Sequence, residues 1–228
     1  MKLNKEIKNI INWINQEYNR KYIIEDFPNN MKEKDATCTD GINYISEYKY
    51  LSEKFMREYK DYLNWHWISH YQKLSESFMD EMREYIDSFQ ISQYQKISVP
   101  FIIKHKYLFL SDDFPLVCKY QKLNKKFYRK YRSTLHWHCI SQYQKLSEKI
   151  IEEFEDYVCW NYIPRYQDLS EKFIEKYKNK MKWIWICKCQ KLSEKFIEKH
   201  QDTIDWRTVG RYQKLSEAFI IKHKDRFN

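Results

Sequence analysis

Residues 192–214 read Leu192-Ser193-Glu194-Lys195-Phe196-Ile197-Glu198-Lys199-His200-Gln201-Asp202-Thr203-Ile204-Asp205-Trp206-Arg207-Thr208-Val209-Gly210-Arg211-Tyr212-Gln213-Lys214, and Leu215-Ser216-Glu217 then restarts the same phrase. Stepping back by 23 residues gives Leu169-Ser170, Leu146-Ser147 and Leu123-Asn124. Stepping forward from Leu51-Ser52 gives Leu74-Ser75 and Ile97-Ser98. Only the step from Ile97 to Leu123 is longer, at 26 residues, which places three extra residues within Tyr107–Asp113. A fixed period of this size means a stack of like units, each burying its apolar face on its neighbours. The period therefore predicts an all-α fold: an α-solenoid of about eight short antiparallel helix pairs over residues 42–228, preceded by an N-terminal helical cap over residues 1–41.

Counting each repeat from its Leu as slot 1, the two halves each carry a helix signature. Ser at slot 2 is an N-cap, with Glu behind it in the first turn, where the helix dipole favours it. Phe at slot 5, Ile at slot 6 and an aromatic or His at slot 9 share one face, as in Phe173, Ile174 and Tyr177. In the second half, Asn64, Asp87, Asp113 and Asp205 at slot 14 are expected N-caps. Trp65, Ile68, Tyr71 and Leu74 exemplify the apolar stripe behind them. Trp65, Trp137, Trp160, Trp183 and Trp206 share slot 15 and are expected to be mostly buried. Helices of about eight or nine residues are too short to stand alone. Slot 19 is small, with Ser69, Ser92, Cys118, Ser141, Cys187 and Gly210, which suits close helix approach; Pro164 there should shorten its helix. The extra residues and Pro100 are expected to bend or loosen the stack between Ile97 and Leu123. The recurring Gln at slot 22, from Gln72 to Gln213, is expected to bond across repeats or to turn backbone.

Residues 1–40 break the pattern. Leu3, Ile7, Ile10, Ile11 and Ile14 line one face of a helix, and Phe27-Pro28-Asn29-Asn30 reads as a loop. The N-terminus has neither the apolar core nor the cleavage site of a signal peptide, and no apolar run approaches the ~18 residues of a membrane span. The six cysteines do not share one slot, only Cys118 and Cys187 coinciding at slot 19, so they read as reduced thiols of a cytoplasmic protein. Lys and Arg number 41 against 32 Asp and Glu, a net charge of +9 that permits an anionic partner.

The phrase Leu192-Ser193-Glu194-Lys195-Phe196-Ile197, with Asp205-Trp206 and Arg211-Tyr212-Gln213, resembles the tandem LSEKFI…DW..IS.YQ repeat proteins of amoeba-infecting giant DNA viruses. The resemblance spans roughly residues 42–228 and departs most in the third repeat, where Val99-Pro100 replaces Glu-Lys. It implies a viral origin and carries over no catalytic residue.

Function is expected where slots vary yet stay on one surface. Slots 16, 17 and 20 of the second helices do so, carrying His66, Trp67 and His70, then His138, Cys139 and Gln142. Next come Asn161, Tyr162 and Arg165, then Ile184, Trp185 and Lys188, and last Arg207, Thr208 and Arg211. From these, His66, Trp67, His70, Tyr162, Arg165, Trp185, Lys188, Arg207 and Arg211 are the candidate contact residues. Aromatics interleaved with cations suit a protein hot spot and also nucleic-acid stacking. Arg165, Lys188 and Arg211, all at slot 20, should line up, with Tyr162 and Trp185 beside them. The reading favours a non-enzymatic interaction protein with a protein partner along the second-helix wall; the alternative is a nucleic-acid-binding solenoid. The cluster His136-Trp137-His138-Cys139 offers metal-ligand types, but two residues two apart on a helix diverge by about 200°, so no metal site is assigned. With two glycines and no GxGxxG, P-loop, GxSxG or HExxH motif, neither a cofactor nor a small-molecule substrate is expected.

Overall fold

The computed structural model describes residues 2–17, 21, 45–47, 51–110 and 112–227. The expected loop at Phe27–Asn30, the residue Tyr44 and the side chain of Leu3 lie outside them. Every regular element among the described residues is helical, and the protein is an all-α stack of short helix pairs. Repeats 6 and 7 show the plan: first helices Glu171–Tyr177 and Glu194–Lys199, second helices Trp183–Cys189 and Trp206–Tyr212.

Local chemistry starts each first helix. The hydroxyls of Ser52, Ser75, Ser98, Ser170, Ser193 and Ser216, and the Asn124 amide oxygen, accept from the slot-5 backbone N–H. Ser147 holds the cap position without that bond. Second helices start less uniformly. Asn64 and Asp87 cap as expected. Asp113 and Asp205 do not: Asp113 has a helical backbone, and the Asp205 carboxylate instead accepts from the Thr208 hydroxyl. Pro164 does shorten its helix, which runs only from Ile163 to Tyr166.

Stacking supplies what helices of four to seven residues lack. Four of the five slot-15 indoles lie over the slot-5 ring of the next repeat: Trp65 over Phe78, Trp160 over Phe173, Trp183 over Phe196 and Trp206 over Phe219, at 6.2–6.4 Å between centroids, while Trp137, for which that slot holds Ile150, lies 5.0 Å from Phe154. The indole N–H reaches the slot-10 carbonyl of its own repeat, as in Trp65 to Lys60 and Trp206 to Gln201, so the polar end of the ring is satisfied. Trp65, Trp137 and Trp206 are buried; Trp160 and Trp183 are half-buried.

The slot-22 glutamines lock successive repeats together. Gln167 Oε1 accepts from Leu146 N–H at 2.8 Å, and its Nε2 donates to the carbonyls of Ser141 and Gln144 at 2.8 and 2.9 Å. The same three bonds recur at Gln95, Gln121, Gln190 and Gln213. Buried backbone groups where one repeat turns into the next are thereby paired. Slot-3 glutamates add a second link: Glu53, Glu76, Glu148, Glu171 and Glu194 each accept from the slot-2 N–H of the following repeat. The N-terminal helix Lys2–Glu17, which buries Ile7, Ile10, Ile11 and Ile14, supplies this link to repeat 1. Glu6 accepts from both the N–H and the hydroxyl of Ser52, at 2.6 and 2.8 Å.

The chain divides into two compact units, Met1–Gln121 and Lys122–Asn228, and the division falls directly after the irregular third repeat. Its extra residues adjoin a short added helix, Lys106–Phe109. Pro100 sits in the first turn of Val99–Lys104, where its missing N–H costs no bond. The glutamine clamp to repeat 2 is kept, with the Gln121 bonds to Ser92 and Gln95 intact. The cost appears at slot 19. Elsewhere a slot-19 hydroxyl accepts the slot-14 N–H of the next repeat, as Ser69 does from Asp87 and Ser141 from Cys159. With Asp113 displaced, Ser92 Oγ is left without a hydrogen-bond partner.

Candidate functional site

The two walls differ in how they use charge. On the first helices, slot 7 of one repeat faces slot 8 of the next. Arg57 meets Glu81 at 2.7 Å, Lys104 meets Asp80 and Arg129 meets Glu153 at 2.5 Å, and Lys176 meets Glu152 at 3.0 Å. Where slot 9 is His, it joins: His200 Nε2 lies 2.7 Å from Glu175, which also meets Lys199 and Lys178. The hydrogen bond from Arg129, then that from Lys125, holds Glu153 at a pKa of about 2. Lys178, followed by His200 and Lys199, does the same for Glu175, also to about 2. This wall consumes much of its charge in joining repeats.

The second-helix wall of the C-terminal unit is built differently. Slot-20 cations Arg165 and Lys188 reach forward onto an aromatic ring of the next repeat, and Arg211 lies beside Tyr212 of its own. The Arg165 guanidinium lies 4.1 Å from the Trp185 ring centroid, with Tyr166 and Tyr162 behind it at 5.3 and 5.9 Å. Lys188 Nζ sits 5.5 Å from Trp185 and 5.2 Å from Tyr212. Arg211 stands 5.6 Å from Tyr212. The result is one continuous alternation of Tyr162, Arg165, Trp185, Lys188, Tyr212 and Arg211, with exposed Arg207 at its end. Among the described residues, none of Arg165, Lys188, Arg207 and Arg211 pairs with a carboxylate. Lys188, Arg207 and Arg211 surround a cleft of about 240 Å³ walled by Ile184, Trp185 and Tyr212.

In the N-terminal unit the same slots hold a cluster of His, Gln and aromatic side chains beside Asp87. His66 Nδ1 lies 2.8 Å from Asp87, and His70 Nδ1 lies 2.9 Å from Gln90 Oε1, while Gln90 Nε2 faces His66 Nε2 at 3.4 Å. Trp67 stacks on Tyr71 at 5.5 Å and His70 on Tyr94 at 3.8 Å. Here too slot 20 reaches slots 17 and 21 of the following repeat. The expected alignment of Arg165, Lys188 and Arg211 with Tyr162 and Trp185 is therefore met, and His66, Trp67 and His70 form a separate cluster in their own unit.

Two expectations need correcting. Slot 21 is not core: Tyr71, Tyr94, Tyr120, Tyr143, Tyr166 and Tyr212 are 39–47% exposed. Slot 17 is not open surface: Gln90, Cys139 and Thr208 are buried and Trp67, Tyr162 and Trp185 half-buried. At Gln90 and Trp185 the slot-20 side chain of the preceding repeat lies over them. Tyr166 and Tyr212 were missed as wall residues. Helix geometry pointed to them, since slot 21 lies about 40° around the helix from slot 17.

Other chemistry is sparse. Burial raises the Cys139 thiol and pushes Cys187 up to about 11, away from a reactive thiolate. Among the described residues the cysteines are free, no group of three His, Cys, Asp or Glu side chains could hold a metal ion, and no helix is long and apolar enough to cross a membrane. A groove of about 690 Å³ is lined by Gly210, Gln213, Leu215, Ile220 and Phe227, among others. Gly210 and Gln213 are the counterparts of Cys187 and Gln190, whose carbonyls receive Gln213, so the groove reproduces the seat each repeat offers the next. The chain matches no protein-family model, no curated protein and no solved structure.

Proposed function

We propose that the chain is a non-enzymatic interaction protein that binds a protein partner along its second-helix wall, with Tyr162 to Tyr212 as the principal contact. The carrying observation is the contrast between the walls. On the first helices Arg57, Lys104, Arg129 and Lys176 are tied to carboxylates of adjacent repeats, whereas Arg165, Lys188 and Arg211 lie against aromatic rings, exposed Arg207 stands beside them, and none of the four has an acid opposite it. Cations and aromatics that share a preorganised surface are the composition of binding hot spots. The resemblance to repeat proteins of amoeba-infecting giant viruses suggests the setting, the cytoplasm of the infected host cell. The second reading, a nucleic-acid binder, draws on the same four cations.

Partner capture from amoebal extract, with and without nuclease, tests the proposal on the wild type and on the triple variant Arg165→Glu, Lys188→Glu, Arg211→Glu. The expected outcome is nuclease-resistant protein capture that the variant loses while its helical circular dichroism is unchanged. Equal capture by both proteins removes the function from this wall. Capture abolished by nuclease, with affinity falling steeply as salt rises, turns the reading to nucleic acid.

A further inference from the structure

The spacing and stacking of the second-helix wall say what kind of partner fits it. From this geometry, and resting on the proposed protein-binding function, we infer that the C-terminal unit recognises an acidic peptide in polyproline II conformation with a carboxylate at every third residue. The slot-20 cations Arg165, Lys188 and Arg211 stand on successive second helices that pack directly on one another. Neighbouring packed helices have axes about 8–10 Å apart, so the cations form a row with about that step. A polyproline II segment has three residues per turn and a rise of about 3.1 Å, so side chains at i, i+3 and i+6 lie on one face about 9 Å apart. A β-strand cannot match: its same-face positions recur at about 7 or 13 Å. Phosphates along one strand of B-form DNA rise about 3.4 Å each along the helix axis and wind around it rather than keeping to one face.

Ring access points the same way. Single-stranded nucleic acid binds by laying bases on free aromatic faces. Trp185 has Arg165 at 4.1 Å and Lys188 at 5.5 Å from its centroid, and Tyr212 has Lys188 at 5.2 Å and Arg211 at 5.6 Å. The rings are already engaged by cations. A guanidinium lying over a ring can still present its N–H fork to a carboxylate. The cleft beside Lys188, Arg207 and Arg211, at about 240 Å³, is smaller than the ~300–1,000 Å³ of small-molecule sites. It is sized for one side chain of a peptide. The ridges of Tyr166, Trp185 and Tyr212 flank the row as aromatics flank other polyproline II grooves.

The probe is a fluorescent peptide of four Glu-Pro-Pro triplets, titrated with the full chain by fluorescence anisotropy. Its controls are an isomer with the four Glu contiguous between Pro blocks, a Gln-Pro-Pro version, and an oligothymidine of twelve nucleotides. The expected result is at least ten-fold tighter binding of the spaced peptide than of its clustered isomer, and no binding of the Gln version. Lys188→Gln and Arg211→Gln should each weaken the spaced peptide at least five-fold, whereas Lys195→Gln on the first-helix wall should leave it unchanged. Equal affinity for the spaced and clustered isomers overturns the inference, because charge alone then suffices. So does tighter binding of the oligothymidine. The two controls that alter only the peptide remain decisive even if a protein variant misfolds. If no peptide binds while partner capture still depends on Arg165, Lys188 and Arg211, the peptide inference fails and the interaction function stands. If capture is indifferent to those residues, the function fails first.

Discussion

Gln167 shows how much a single recurring side chain carries. Its amide satisfies one buried N–H, of Leu146, and two carbonyls, of Ser141 and Gln144, all within 2.9 Å. No other side-chain type of this size offers both an acceptor and two donors on one short planar group. Gln167→Leu keeps the volume but strands those backbone groups away from water, and each buried orphan costs ~1–3 kcal/mol. The variant is expected to lose about 3 kcal/mol in all, read as a lowered denaturation midpoint in urea. Gln213→Leu makes the same deletion at a half-buried position, where water can replace the amide. About 1 kcal/mol is expected there. Equal losses at the two sites would mean that burial of the clamp is not what gives it value.

At the scale of the helix, most of the first-helix ion pairs act between repeats, with Lys178 and Glu175, three residues apart, as an exception. Glu175 gathers Lys178, His200 and Lys199, and Glu153 gathers Arg129 and Lys125, and both carboxyls are held at about 2. A carboxylate with a depressed folded-state pKa stabilises the fold above its unfolded value, and that stabilisation disappears as pH falls through the folded value. The window therefore runs from pH about 4.5 down to about 2. Glu175→Gln and Glu153→Gln should each flatten the stability profile across it while changing little of its shape above pH 5. Since these groups are open to solvent, 0.5 M salt should shrink the effect. An unaltered acid limb in the double variant would remove these pairs from the acid response. The helices themselves were legible because their signals are local: Ser at slot 2 capping slot 5, Pro164 cutting its helix short. What failed was context. Tyr71 looks apolar in a pattern that has apolar neighbours, but helix geometry sets it about 60° beyond Ile68 on the far side from Trp65, and it is exposed. Asp113 looks like a cap, yet the inserted residues change its backbone. The long reach of Arg165 over Trp185 in the next repeat could not be read from either residue's own helix.

Across the whole molecule, stability lies in the joins. No repeat owns a helix long enough to persist alone, so repeats are held by the slot-22 amide and, where the residues are present, by the indole stacked on the next ring and by the slot-3 carboxylate. In such a stack, stability is close to a sum of nearest-neighbour terms, and local opening spreads from the weakest join. The join between the second and third repeats is one such place, since Ser92 Oγ has lost the bond its counterparts make. Native-state hydrogen exchange can read this repeat by repeat. Within Lys122–Asn228, protection should be highest in the second helices of repeats 5 and 6, residues 163–166 and 183–189, which have clamped neighbours on both sides. It should fall towards repeat 8. Gln167→Leu should lower protection of residues 137–143 and 163–166, the two helices its amide joins, by about a hundred-fold, the equivalent of ~3 kcal/mol. It should lower that of residues 206–212 by far less. A uniform drop over the whole of Lys122–Asn228 would show instead that the unit opens all at once, with the joins acting as a single cooperative core.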